Sequence, residues 1–199
     1  MKKLLVFFIL SYSSLLLSVE VSIIIPVYNE EKMIDRLISS LLLLKPSPEL
    51  IFVDGGSKDA TAAYIKGRGL HLIESPRRGR AVQLNLGVSA ATGRKLLFMH
   101  ADCFLSQEAY SAMIACLNRA EIVGGAFSYA LDRSEEDFRE RIIEKGVALR
   151  NILFTLPYGD QGYFIRRETL DEKVGYFKEM PLMEDVEWFE RLKKKGPVV

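Results

Sequence analysis

The apolar run VSIIIPV at residues 21–27 shows no alternation of apolar and polar side chains, and this constrains the fold more than any other stretch. A strand with that pattern is covered on both faces, as in a parallel sheet flanked by helices. Pro26 marks where ladder pairing is expected to stop. Asn29 is placed to cap the next helix, with Glu30 and Glu31 in its first turn. Met33, Ile34, Leu37, Ile38 and Leu41 then recur at helical spacing. The pattern repeats along the chain. Residues 50–57 (LIFVDGGS) read as a second strand, Ser57 as the cap of a helix through Tyr64, and residues 70–73 as a third strand. A basic glycine loop then feeds a helix ending near Gly93, followed by a strand at 95–99 and a helix at 106–118. Residues 121–131 read as a strand in which Gly124 and Gly125 signal a bulge or a close neighbour. An amphipathic segment spans 134–154, a short strand lies within 159–167, and a helix is expected near 168–174. In the last helix Val186, Phe189 and Leu192 are expected to face inward, and Gly196 ends it. Strand and helix alternate, so the expected fold class is α/β, a Rossmann-like domain with a mostly parallel central sheet and helices on both faces.

A chain of 199 residues with 49% hydrophobic content can bury one domain's core. The net charge of +1 gives no sign of a nucleic-acid partner. Cys103 and Cys116 have neither metal nor redox spacing and fit a reducing compartment. Residues 1–19 stand apart: two lysines precede an apolar run interrupted by serines. That segment reads as signal-like, as a short membrane anchor or as an extra helix, and it is shorter than the roughly 20 apolar residues a spanning helix needs. The expected division is therefore 1–19 and 20–199.

Sheets of this kind bind ligands beyond the carboxyl ends of their strands. Tyr28, Glu30, Asp54 and Asp102 all sit at such ends. In LLFMHADC (96–103), His100 and Asp102 are two residues apart and would share a strand face. Such a pair can hold magnesium or manganese together with a substrate's phosphates, or it can be an ordinary strand end. Asp54, followed by Gly55 and Gly56, can accept hydrogen bonds from a nucleotide or close a turn. Arg77, Arg78 and Arg80 suit bidentate phosphate contacts at a helix start, or form a solvated loop. Glu184 and Asp185 open the last helix, where they can cap it or take a proton from a hydroxyl.

Six stretches in order carry a resemblance: IIIPVYNE, VDGGSKDAT, RGRAVQLNLG, LLFMHAD, GDQGYFIRR and PLMEDVEWFERLKKKG. Together they resemble the inverting glycosyltransferases of family 2, which have the A-type glycosyltransferase fold. The wording HAD, GDQ and PLMED is most similar to a bacterial radical-SAM/selenodomain-associated subgroup. The resemblance implies that Pro26, Tyr28 and Glu30 line the base and ribose pocket and that Asp54 binds the nucleotide. It implies that Arg80 lies near the diphosphate and that Asp102, with His100, holds a divalent metal, Mn2+ or Mg2+. It implies that Asp185, paired with Glu184, is the general base, and that Asp160 and Gln161 belong to the acceptor side. The sequence departs from the family pattern at His100, in place of the first aspartate of Asp-x-Asp, and at Gly55, in place of the second aspartate of Asp-Asp-Gly-Ser. The family's Arg-Arg-Trp or Gln-x-x-Arg-Trp element does not occur after Gly196, so a chain truncated at its C-terminus is the expectation.

The function so implied is transfer of a sugar from a nucleotide-diphosphate sugar to an acceptor hydroxyl, with inversion and metal assistance. The competing readings are a catalytically idle nucleotide-binding or scaffolding protein of the same fold, and a metal-dependent nucleotidyltransferase. Location carries a conflict. Lys2 and Lys3 would keep the N-terminus inside and send the domain out, whereas a nucleotide-sugar donor places the enzyme in the cytoplasm. The expectation is a cytoplasmic protein, associated with the inner face of the membrane through residues 1–19.

Overall fold

The computed structural model describes residues 19–127 and 162–199. Strands β1 (Val21–Val27), β2 (Glu49–Asp54), β3 (His71–Glu74) and β4 (Lys95–Phe98) are parallel to one another. Strands β5 (Gly124–Ala126) and β6 (Tyr163–Arg166) complete the six-stranded sheet in the order β3-β2-β1-β4-β6-β5, and β6 is antiparallel to both of its neighbours.

Side chains of β1 alternate between two cores, which explains its unbroken apolar pattern. Ile23, Ile25 and Val27 pack with Ile34, Leu37, Ile38 and Leu41 of helix α1 (Ile34–Leu41) and with Tyr110 and Met113 of α4 (Gln107–Leu117). Ile24 faces the other way, toward Ala81, Leu84 and Val88 of α3 (Arg80–Ala90) and Trp188, Phe189 and Leu192 of α5 (Glu184–Lys193). Helix α2 (Thr61–Gly67) covers the β2–β3 side, and residues Arg167–Thr169 run into a π-helical turn at Leu170–Val174.

Pairing around Pro26 is one-sided. On the β2 side the ladder continues through Pro26–Val53 and Val27–Asp54. On the β4 side it ends at Ile24–Phe98, closed by the Met99 amide on the Ile24 carbonyl. Beyond Ile24 the proline's missing N–H is therefore not needed, and β1 and β4 part there. The chain order reverses at the same place, because β1 is followed on one side by β2 and on the other by β4. A crevice at such a switch point is where these sheets seat ligands.

Two helix starts differ from the sequence expectation, for one reason. Asn29, at a left-handed φ of 57°, does not cap α1; its Oδ1 accepts the Lys58 amide. Ser57 does not cap α2, because its hydroxyl accepts the Asn29 amide and donates to Asp54. The two expected caps are spent joining one loop to the other, and the helices begin later, at Ile34 and Thr61. In α5 the inward residues are Trp188, Phe189 and Leu192, while Val186 is only half-buried. Gly124 and Gly125 mark close neighbours: an added Cβ would lie 2.6 Å from the Phe164 carbonyl oxygen and 2.2 Å from that of Val199, respectively. The segments read at 1–18, 128–131 and 134–154 lie outside the described residues. Among the described residues no helix is long and apolar enough to cross a membrane.

Candidate active site

The loops after β1 and β2 form one side of the crevice. The Asp54 carboxylate, 5% exposed, accepts the amides of Gly56 and Ser57 and the Ser57 hydroxyl. Its oxygens therefore shape the loop. The Glu30 amide donates to Thr61 Oγ1 at 2.8 Å and the Glu31 amide to Asp59 Oδ2 at 3.2 Å. Below these loops the buried Gln83 amide nitrogen bridges the Val27 and Val53 carbonyls at 3.0 and 2.8 Å, fastening the ends of β1 and β2 together. Gln83 was not singled out by sequence reasoning. The available signal was a polar residue on the apolar face of α3, between Ala81 and Leu84.

The other side is built by the first turns of α3 and α5. Arg80 Nη1 lies 3.5 Å from Asp185 Oδ2, and Arg80 Nε lies 3.6 Å from Glu184 Oε1. Both carboxylates are 7% exposed, so Arg80 supplies the countercharge that two buried anions require. Asp185 Oδ1 also accepts the Val186 amide at 2.8 Å. The preceding residue, Met183, has φ 68° and no side-chain cap; this left-handed entry sets the direction in which Glu184 and Asp185 leave the chain.

Between the two sides lie His100 and Asp102. Strand β4 ends at Phe98, and the Cys103 amide donates to the His100 carbonyl, so the two residues stand in a turn and do not share a strand face as expected. They remain electrostatic neighbours. Burial, then Arg80, pull the imidazole down to about 4 against the opposing pull of Asp102 and Asp185. The Glu30 carboxyl is raised, first by burial and then by the charges of Asp102 and Asp59. These mutual influences make Glu30, Arg80, His100, Asp102 and Asp185 electrostatic neighbours, with Glu184 beside Arg80. Arg80 Nε and His100 Nε2 are buried and have no hydrogen-bond partner among the described residues.

Tyr28 follows Pro26 by two residues at the mouth of the crevice, and the Arg78 guanidinium carbon lies 4.0 Å from its ring centroid. Arg77 pairs with Glu179, and the Asn85 side chain bonds both the amide and the carbonyl of Phe177, so α3 and its entry loop grip the segment before α5. Asp160 and Gln161 lie outside the described residues. A separate surface hollow of about 340 Å³, lined by Leu117, Arg166 and Lys173, lies at the opposite end of β4 and β6 from these carboxylates.

Among the described residues no three His, Cys, Asp or Glu side chains are grouped to hold a metal ion. Among the described residues the nearby donors are the exposed Asp102 carboxylate and a neutral imidazole, which would fit magnesium or manganese as a two-ligand site completed by a substrate's phosphates.

The chain is 25% identical over 194 residues to glycosyltransferase AglE of Haloferax volcanii, covering 88% of this chain and 62% of that protein. Its fold matches the mannosyltransferase PcManGT of Pyrobaculum calidifontis, solved with GDP-Man and Mn2+, at a TM-score of 0.72 and 20% identity, over 90% of this chain and 54% of that one. It matches S. aureus TarS solved with UDP-GlcNAc at a TM-score of 0.66 and 20% identity, over 90% of this chain and 56% of that one. The chain thus spans a little over half to about three-fifths of the length of these proteins. These structural matches establish a single α/β domain of the A-type glycosyltransferase fold. The model of Glycosyl transferase family 2 matches residues 22–175, and to that family the chain belongs.

Proposed function

We propose that this chain transfers a sugar from a nucleotide-diphosphate sugar to an acceptor hydroxyl, with inversion at the anomeric carbon. The observation that carries this reading is the meeting of Asp185 and Glu184 with Arg80, beside His100 and Asp102, at the point where β1 and β4 part. The relatives solved with GDP-Man and UDP-GlcNAc support the donor class.

In this reading the donor lies across the strand ends. Pro26, Tyr28 and Glu30 line its base and ribose, and Asp54 acts through the loop it folds. His100 and Asp102 would hold a divalent ion against the donor's phosphates. When bound, such an ion neutralises charge on the departing diphosphate. Arg80 sits between the diphosphate and the base, so one cation serves both the leaving group and the carboxylate that receives a proton. Asp185 takes the acceptor hydroxyl's proton, and the oxygen attacks from the face opposite the phosphate. Glu184 holds Arg80 from its Nε side. Asp160 and Gln161 belong to the acceptor side. The finer kinship with the radical-SAM/selenodomain-associated subgroup, and a cytoplasmic location at the membrane's inner face through residues 1–19, belong to the same proposal.

The test is Asp185→Asn in the full chain. General-base catalysis is typically worth 10²–10⁴-fold, so transfer should fall by about that factor while nucleotide affinity holds. Unchanged turnover removes Asp185 from the base role. His100 in place of the first aspartate of Asp-x-Asp favours a second reading, a catalytically idle nucleotide-binding or scaffolding protein; it predicts ligand binding with no nucleoside diphosphate released from any sugar donor. Release of pyrophosphate from a nucleoside triphosphate would instead identify a nucleotidyltransferase.

A further inference from the structure

Three arginines lie within residues 77–80, and two of them are held by carboxylates. Arg77 pairs with Glu179, and Arg80 pairs with Glu184 and Asp185. Among the described residues Arg78 carries no ion pair; its contact is the Tyr28 ring, 4.0 Å below its guanidinium carbon. We propose that Arg78 discriminates among ligands: it covers the Tyr28 ring until a phosphate-bearing nucleotide draws it onto the diphosphate. The inference rests on the reading of Tyr28 as the platform for the donor's base.

Sterics and relative strength give the direction. A guanidinium 4.0 Å from a ring centroid occupies the stacking position on that face, so a base and Arg78 cannot both lie on it. An exposed cation–π contact is weak beside a bidentate arginine–phosphate contact. Of the three arginines, Arg78 is the one that can turn to a phosphate without breaking an ion pair. It is exposed, so turning disturbs no packing. The next residue, Gly79, has φ 156°, a conformation that side chains rarely adopt.

The consequence is selectivity. A nucleoside must displace Arg78 from Tyr28 and offers nothing in return. A nucleoside diphosphate displaces the same contact and gives the guanidinium a better partner. Removing Arg78 should therefore move the two affinities in opposite directions, which a residue with only a packing role would not do.

Calorimetric titration of the full chain with manganese tests this, using uridine, guanosine, UDP and GDP on the unaltered protein and on Arg78→Ala. The nucleoside should bind about two- to five-fold more tightly to the variant, the worth of an exposed cation–π contact. The diphosphate should bind about tenfold more weakly, the worth of a charge-assisted contact. In a Tyr28→Leu background the gain for the nucleoside should vanish. If the unaltered chain binds UDP or GDP but Arg78→Ala shifts nucleoside and diphosphate in the same direction, or shifts neither, Arg78 has no such role and the donor reading survives. If the unaltered chain binds neither diphosphate, both fall together.

Discussion

His100 sits among Arg80, Asp102 and Asp185, and its half-buried imidazole stays neutral down to about pH 4. Its ordinary value is 6.5, so the folded chain refuses a proton that the unfolded chain accepts between those two limits. Above pH 6.5 the imidazole is neutral in both states and contributes nothing to the pH dependence. As pH falls from 6.5 toward about 4, stability is lost, with a slope approaching about 1.4 kcal/mol per pH unit. Glu30 acts with the opposite sign, because its raised carboxyl takes a proton in the fold before it does in the unfolded chain. Denaturant melts of the metal-free full chain at pH 7, 6 and 5 should show the unaltered protein losing more stability than His100→Gln. Parallel profiles would assign the slope to other groups. The sequence placed this strand at 95–99, within one residue of its end at Phe98. It could not reveal that His100 and Asp102 stand in the turn beyond it and do not share a strand face, because that turn is fixed by a backbone hydrogen bond.

Helix α3 is the element that ties the candidate site together. Its first residue meets Asp185 and Glu184, Gln83 joins β1 to β2, and Asn85 holds the Phe177 backbone. All three contacts require α3 to lie close on β1. Gly87 permits this, since a Cβ there would fall 2.3 Å from Ile24 Cγ2. Gly87→Ala should improve intrinsic helix propensity by about 1 kcal/mol. The overlap with a fully buried β1 side chain should cost more, about 1–3 kcal/mol, so the expected net result is a less stable protein with weaker donor binding. A thermal melt and a titration on the same variant check both effects, and a stabilised variant with unchanged affinity would show that α3 can move without cost. The helix itself was legible in the sequence from its glycine-led start and apolar spacing. Its contacts were not, because Gln83 and Asn85 bond to carbonyl and amide groups 30 to 92 residues away. The starts of α1 and α2 were misplaced for a similar reason: Asn29 and Ser57 carry the right chemistry for caps but spend it on each other's loops.

Across the molecule the sheet separates two cores, one with α1 and α4 and the other with α3 and α5, and the first turns of α3 and α5 meet through Arg80, Glu184 and Asp185. The alternation of unbroken apolar runs with helical spacing was enough to read this architecture, since strands buried on both faces leave few other arrangements. A donor seated at the candidate site would touch the ends of β1, β4, α3 and α5 together, and so should stabilise the fold as a whole. At a free ligand concentration of 100 times Kd the gain is about 2.7 kcal/mol. For a chain of this length that corresponds to a rise in Tm of roughly 5–11 °C. UDP or GDP with manganese should produce such a rise, and, if an ion bridges the phosphates to Asp102, a chelator should remove part of it. Asp102→Asn should keep the chelator-resistant part and lose the rest. Equal shifts with manganese and with chelator would exclude a phosphate-bridged ion at Asp102, and would leave Arg80 and Arg78 as the groups that meet the diphosphate.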